Sequence, residues 1–179
     1  MNVESPITAW ERAIAQHGFV QDPAQWRAVQ ALQHCHEQLS QGIEPVRGVY
    51  LWGPVGRGKT WLMDQFYQSV SVPARRQHFH HFMQWVHQRL FQLIGTQDPL
   101  KALAQGLAQE VRVLCFDELF VNDIGDAIIL GRLFQVMFEQ GVVLVCTSNQ
   151  PPEQLYGEGF NRDRFAPAIT AIVKHMAVV

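Results

Sequence analysis

The densest chemical pattern in the chain is Gly53-Pro54-Val55-Gly56-Arg57-Gly58-Lys59-Thr60. Its spacing is G-x-x-x-x-G-K-[ST], the Walker A pattern. Glycines let a backbone curl tightly and come close to a polyphosphate. Amide N–H groups and a helix N-terminus supply positive potential. A lysine at the place of Lys59 reaches the β- and γ-phosphates, and a hydroxyl at Thr60 reaches Mg²⁺. A plain glycine-rich turn needs none of this spacing. A chance match in a chain this long has odds of about one in a hundred. The stretch from Gly53 to Trp61 is therefore assigned to ATP, with Mg²⁺ as cofactor.

Two further strand ends carry polar groups in the same sense. Val113-Leu114-Cys115-Phe116-Asp117-Glu118 is an apolar run closed by two carboxylates, the Walker B form. Asp117 suits a Mg²⁺ held through its waters, and Glu118 suits proton abstraction from an attacking water. Side chains leaving a strand end successively point in different directions, so one acid can face a metal and the other a phosphate. As bare sequence the pair also reads as two solvated acids. Val142 to Cys146 ends in Thr147-Ser148-Asn149. An amide at Asn149 can orient a water and touch the γ-phosphate. It can equally start a turn before Pro151-Pro152. Its order after the other two motifs favours the first role.

Weaker candidates remain. Arg162 and Arg164 flank Asp163, which by itself reads as a salt-bridged surface. His78, His80 and His81 fall in a stretch expected to be a strand, Gln77 to Phe82. There His78 and His80 would share a face, and two ligands fall short of the four of a structural zinc site. His80 could approach Glu118. Arg75-Arg76 beside the histidines makes a small basic patch that could touch nucleotide, a partner or membrane lipid, but it reads more readily as part of a connection.

These residues need a frame, and the punctuation supplies one. Helices are expected from Ser5 to Gly18, after the cap Asp22-Pro23, from Lys59 to about Val70, from Met83 to Ile94, after Asp98-Pro99, up to Gln140, and from Phe165 to Lys174. Strands are expected at Val46 to Trp52, Gln77 to Phe82, Val111 to Phe116, Val142 to Thr147 and His175 to Val179. Near-continuous apolar strands between helices predict a parallel sheet covered on both faces, an α/β fold. Ligands of such sheets bind beyond the carboxyl ends of the strands.

Composition narrows the function classes. The chain has 179 residues, 47% hydrophobic and 17% charged, with a formal net charge of −2. That excludes disorder and gives no basic footprint for nucleic acid. No apolar run approaches the ~20 residues of a transmembrane helix. The first residues lack the pattern of a signal peptide, so a cytoplasmic location is expected. Three cysteines, Cys35, Cys115 and Cys146, without CxxC spacing, predict buried core thiols rather than disulfides or zinc.

The three motifs, in this order and with a strand between the first two, follow the layout of the AAA+ ATPases. The chain most resembles their AFG-type family. The resemblance is carried by Arg47-Gly48-Val49-Tyr50-Leu51-Trp52 before the glycine loop, Thr60-Trp61-Leu62-Met63-Asp64, His78-Phe79-His80 with Phe82-Met83, and Phe116-Asp117-Glu118. Asp126-Ala127, Thr147-Ser148-Asn149, Leu155-Tyr156, Asn161-Arg162 and Arg164-Phe165 continue it. It implies a three-layer P-loop NTPase fold, with a five-stranded parallel sheet in order 5-1-4-3-2. It implies Asn149 as the first sensor, and Arg162 or Arg164 as an arginine finger given to a neighbouring subunit, with Arg164 preferred for its place beside Phe165. Residues 1–45 would be an N-terminal helical extension and residues 46–179 the ATPase core. The family pattern continues into a small lid region with a second sensor, so the core is expected to be truncated in its last strand. Implied partners are ATP, further copies of the chain, and division-ring or inner-membrane-associated proteins, with a peripheral position at the inner membrane or division site. Two other functions fit the motifs: a nucleotide-dependent interaction module without turnover, and a small P-loop nucleotide kinase.

Overall fold

The computed structural model describes residues 4–17, 22–54, 58–156 and 162–179, with the backbone alone at His17 and Arg162. In chain order the elements are α1 (Pro6–His17), α2 (Pro23–Gln41), β1 (Gly48–Trp52), α3 (Lys59–Ser69), β2 (Ala74–His78), α4 (Phe79–Gln92) and α5 (Pro99–Glu110). They continue with β3 (Val113–Asp117), α6 (Ile124–Glu139), β4 (Val143–Ser148), α7 (Ala166–His175) and β5 (Met176–Val178). Short 3-10 turns at Pro152–Gln154 and Arg162–Arg164 precede α7. Several starts follow from capping. The Asp22 carboxylate accepts from the Ala24 N–H at 2.9 Å, and the Asp123 carboxylate accepts from the Asp126 N–H at 3.1 Å.

The five strands are parallel and lie in the order β2-β3-β4-β1-β5, the expected order read from the opposite edge. Alternation sends side chains to opposite faces of the sheet. Val49, Leu51, Val113, Cys115, Val143 and Val145 join one apolar cluster with residues of α1, α2 and α3. Tyr50, Leu114, Phe116, Leu144 and Cys146 join the other, with residues of α4, α5, α6 and α7. Burial on both faces is why the central strands read as continuous apolar runs. The resulting three layers are those of the P-loop NTPase fold. All three cysteines are buried. Burial pushes the Cys35 thiol up to about 12 and raises those of Cys115 and Cys146 further, as expected of core thiols.

One expected element is displaced. The second strand is Ala74–His78 rather than Gln77 to Phe82, and the following helix begins at Phe79 rather than Met83. The reason is periodicity. Phe79, Phe82, Met83 and Val86 are the buried residues of α4, at the i, i+3, i+4, i+7 spacing of a helix. Phe79 and Phe82 pack their rings on Phe116, with centroids 5.5 and 4.5 Å away. β2 is an edge strand, and its sequence Ala-Arg-Arg-Gln-His is polar because only one neighbour covers it. His80 and His81 are therefore helical and do not extend a strand face with His78. Arg75 and Arg76 belong to a strand, not to a connection.

A close approach fixes the turn before α7. A side-chain carbon at Gly131 of α6 would lie 2.7 Å from the Arg164 carbonyl oxygen. Gly131→Ala should cost about 1–3 kcal/mol in urea unfolding, because a backbone atom must retreat.

Candidate functional site

The carboxyl ends of β1, β3 and β4 open onto a cleft of about 600 Å³. Lys59, Thr60 and Trp61 line it from the start of α3, Glu118 from the end of β3, and Asn149 from the end of β4. Gly58 precedes α3 with φ of 77°, a left-handed conformation that suits glycine. The Lys59 ammonium donates to the Gly53 carbonyl and, at 2.9 Å, to the Pro54 carbonyl. Burial pulls its pKa below the ordinary lysine value. Gly53 and Pro54 also border an adjoining cleft of about 310 Å³, whose other walls include Ala24 and Ala28 of α2 and Leu62 of α3. Val55, Gly56 and Arg57 lie outside the described residues.

Glu118 is exposed and has φ of 58°. That left-handed conformation costs an L-residue roughly 1–2 kcal/mol. It is held by neighbours. The Glu118 N–H donates to the Thr147 hydroxyl at 3.1 Å, and the Leu119 N–H donates to the Thr147 carbonyl at 2.8 Å. The Ser148 hydroxyl donates to the Leu119 carbonyl at 2.9 Å. The strained backbone turns Glu118 into the cleft, while Asp117 stays with the sheet.

Asp117 is engaged by a residue that the sequence reads as part of a connection or of a small basic patch. Its two carboxylate oxygens accept from Nε and Nη2 of Arg76, both at 3.1 Å. The third nitrogen, Nη1, donates to Asp64 Oδ1 at 2.5 Å. The hydrogen bonds to Asp117 push the guanidinium pKa above its already high ordinary value. Arg76 and Asp64 both line the cleft. Arg76 and His78 are two apart on β2 and pair in register with Cys115 and Asp117.

A second cleft, of about 640 Å³, shares Glu118, Ser148 and Asn149 with the first. His80 stands on its wall, with Nε2 at 3.3 Å from the Gln84 amide nitrogen. His80 and Glu118 thus border one space. Arg164 is exposed and lines none of the clefts that hold Lys59 or Glu118. The Arg162 side chain lies outside the described residues.

The fold agrees with comparison to known proteins. A profile of the AFG1-like ATPase family matches residues 4–179. The chain belongs to that family. It is 54% identical over 136 residues to the cell division protein ZapE of Escherichia coli K12, covering 75% of this chain and 36% of that protein. It is 43% identical over 155 residues to lactation elevated protein 1 homolog B of Danio rerio, covering 80% of this chain and 31% of that protein. The chain thus spans about a third of the length of these relatives. The crystal structure of DnaI superposes with a TM-score of 0.65 at 20% identity, over 90% of this chain and 86% of that one. The replication initiator DnaA, bound to AMPPCP and single-stranded DNA, superposes with a TM-score of 0.63 at 16% identity, over 91% and 48%. At those identities the structural likeness concerns the fold.

In this AFG1-like ATPase the geometry makes Thr147 a support for Glu118 rather than a part of the cleft floor alone. Thr147→Val keeps the shape of the side chain and removes the acceptor. We expect a loss of about 1 kcal/mol in urea unfolding. ATP turnover should fall by a larger factor than nucleotide affinity, read by phosphate release beside a binding titration.

Proposed function

We propose that this domain binds ATP with Mg²⁺ and hydrolyses it, as the working core of an AAA+ ATPase. One observation carries the reading: the ammonium of Lys59, the carboxylate of Glu118 and the amide of Asn149 converge on a single cleft at the strand ends. Lys59 exchanges its bonds to the Gly53 and Pro54 carbonyls for phosphate oxygens. The loop from Gly53 to Trp61 wraps the phosphates, and the adjoining cleft beside Ala24, Ala28 and Leu62 takes the base. Glu118 accepts the proton of the attacking water, and Asn149 orients that water against the γ-phosphate.

The donor set suits Mg²⁺. Thr60 offers a hydroxyl and Asp117 a carboxylate, both hard oxygen ligands. Among the described residues no group of three or more His, Cys, Asp or Glu side chains could hold a metal without help. Thr60 and Asp117 would therefore share the ion with phosphate oxygens and waters, as Mg²⁺ prefers. When bound, the ion supplies charge neutralisation at the phosphates.

Arg162 or Arg164 acts on a neighbouring copy. Arg164 is exposed and away from its own cleft, which supports donation between subunits. The kinship to ZapE supports work with division-ring or inner-membrane-associated proteins, in the cytoplasm or peripherally at the division site. Among the described residues no helix is long and apolar enough to cross a membrane.

Lys59→Ala should abolish nucleotide binding, since Lys59 is the conserved-pattern cation of the glycine loop. Glu118→Gln should retain binding and lose hydrolysis. Trp52 and Trp61 border the two clefts, so tryptophan fluorescence can follow binding while phosphate release follows turnover. Hydrolysis by Glu118→Gln at the unmutated rate would remove Glu118 from its role.

Loss of an arginine finger costs about 10³–10⁵ in turnover. Mixing an Arg164→Ala or Arg162→Ala chain with a Lys59→Ala chain should restore part of the activity, because each supplies what the other lacks. A mixed oligomer with no rescue would refute donation between subunits.

A further inference from the structure

The strongest unassigned feature is the charge cluster behind the glycine loop. Arg76 of β2 bridges Asp64 of α3 and Asp117 of β3, using one nitrogen for the first and two for the second. The Asp117 side chain is 14% exposed and that of Arg76 19%, so water screens this cluster less than a surface pair. Arg76 occupies the place between the two carboxylates.

We propose that Arg76 is a positioning residue that acts as an internal counter-ion: it holds Asp117 in place and denies Asp64 and Asp117 to a free divalent cation, so that Mg²⁺ enters the site with the nucleotide and not before it. The inference rests on the proposed role of Asp117 towards the nucleotide's metal. The charge balance explains the need. Lys59, Arg76, Asp64 and Glu118 line the cleft and Asp117 pairs with Arg76, which makes two cations against three carboxylates. Without Arg76 the balance would be one against three, which repels a polyphosphate and attracts a bare cation. The planar fork of arginine also fixes both Asp117 oxygens at once, which a rotating ammonium cannot do. A pinned carboxylate faces metal-bound waters without losing further freedom.

The test uses Mn²⁺ as the probe, in the absence of nucleotide, with the free ion followed by electron paramagnetic resonance. Arg76→Ala should bind Mn²⁺ at least about tenfold more tightly than the unmutated chain. Adding Asp64→Asn to Arg76→Ala should abolish the gain. Arg76→Lys restores the charge and should stay within about twofold of the unmutated chain. Mg²⁺ without nucleotide should raise the melting temperature of Arg76→Ala and leave that of the unmutated chain in place. A merely structural arginine would lower stability without creating a metal site. Should Arg76→Ala fail to fold, Arg76→Gln keeps one donor, removes the charge and carries the same expectation. A folded neutral variant with no gain in Mn²⁺ affinity overturns the inference, as does tight nucleotide-free Mn²⁺ binding by the unmutated chain. Failure of the chain to bind ATP at all would instead count against the ATPase reading, because the Mn²⁺ titration needs no nucleotide.

Discussion

Thr147 and Ser148, the last two residues of β4, bind the loops that leave both neighbouring strands. On one side Thr147 receives the N–H groups of Glu118 and Leu119, and Ser148 donates to the Leu119 carbonyl. On the other side the Ser148 carbonyl receives the Gly53 N–H at 3.1 Å, where the glycine loop begins. Both residues are almost fully buried, at 2% and 3% exposure. Buried polar groups must find partners, and these find them in the two loops that face the cleft. The central strand thereby sets the distance between a phosphate-binding loop and a carboxylate. Loosening β4 would move both at once.

The same economy of partners explains the edge of the sheet. β3 and β4 have a neighbour on each side and are covered on both faces, so they are apolar up to their polar carboxyl ends. β2 has one neighbour and puts Arg75 and Arg76 to use: Arg75 pairs with Glu110 of α5 at 2.9 Å, and Arg76 reaches Asp117. The first pair is exposed and contributes little. The second is half shielded, and its geometry is bidentate. Position, not residue type, separates an ordinary surface pair from one that shapes the site.

This bears on what could be read from the sequence. The strand order follows from the family resemblance alone. The two-sided burial and the residues that meet at the cleft follow from local signals: continuous apolar runs, caps at Asp22 and Asp98, and polar residues at strand ends. Those signals are short-range and period-specific. β2 carried none of them. Four of its five residues are polar; Pro73 to Arg76 reads as a connection, and Phe79 and Phe82, which belong to a helix period, read as part of a strand from Gln77 to Phe82. The pairing of Arg76 is hidden for a deeper reason. Its partners lie on α3 and β3, separated by 12 and 41 positions, and only the pairing of β2 with β3 brings the three together. Thr147 was noticed as part of a polar tip, but its bond to a strained Glu118 depends on φ at one residue, which residue type does not reveal.

The N-terminal helices enter the site by a similar long-range contact. The Trp10 indole of α1 donates to Gln25 Oε1 of α2 at 3.4 Å, and the Trp10 and Trp26 rings pack tilted at 33° with centroids 5.2 Å apart. The other end of the Gln25 amide lies 3.1 Å from where a side-chain carbon at Gly58 would stand. Gly58 is thus constrained twice, by its left-handed backbone and by a neighbouring helix. Val29, Leu32 and Cys35 of α2 share an apolar cluster with Val49, Leu51 and Cys115 of the sheet. A helix packed so firmly on the strands, and touching the glycine loop at its first turn, cannot shift without changing the wall of the adjoining cleft. The position of Gly58 therefore draws on a residue more than thirty positions upstream as well as on the helix that it precedes.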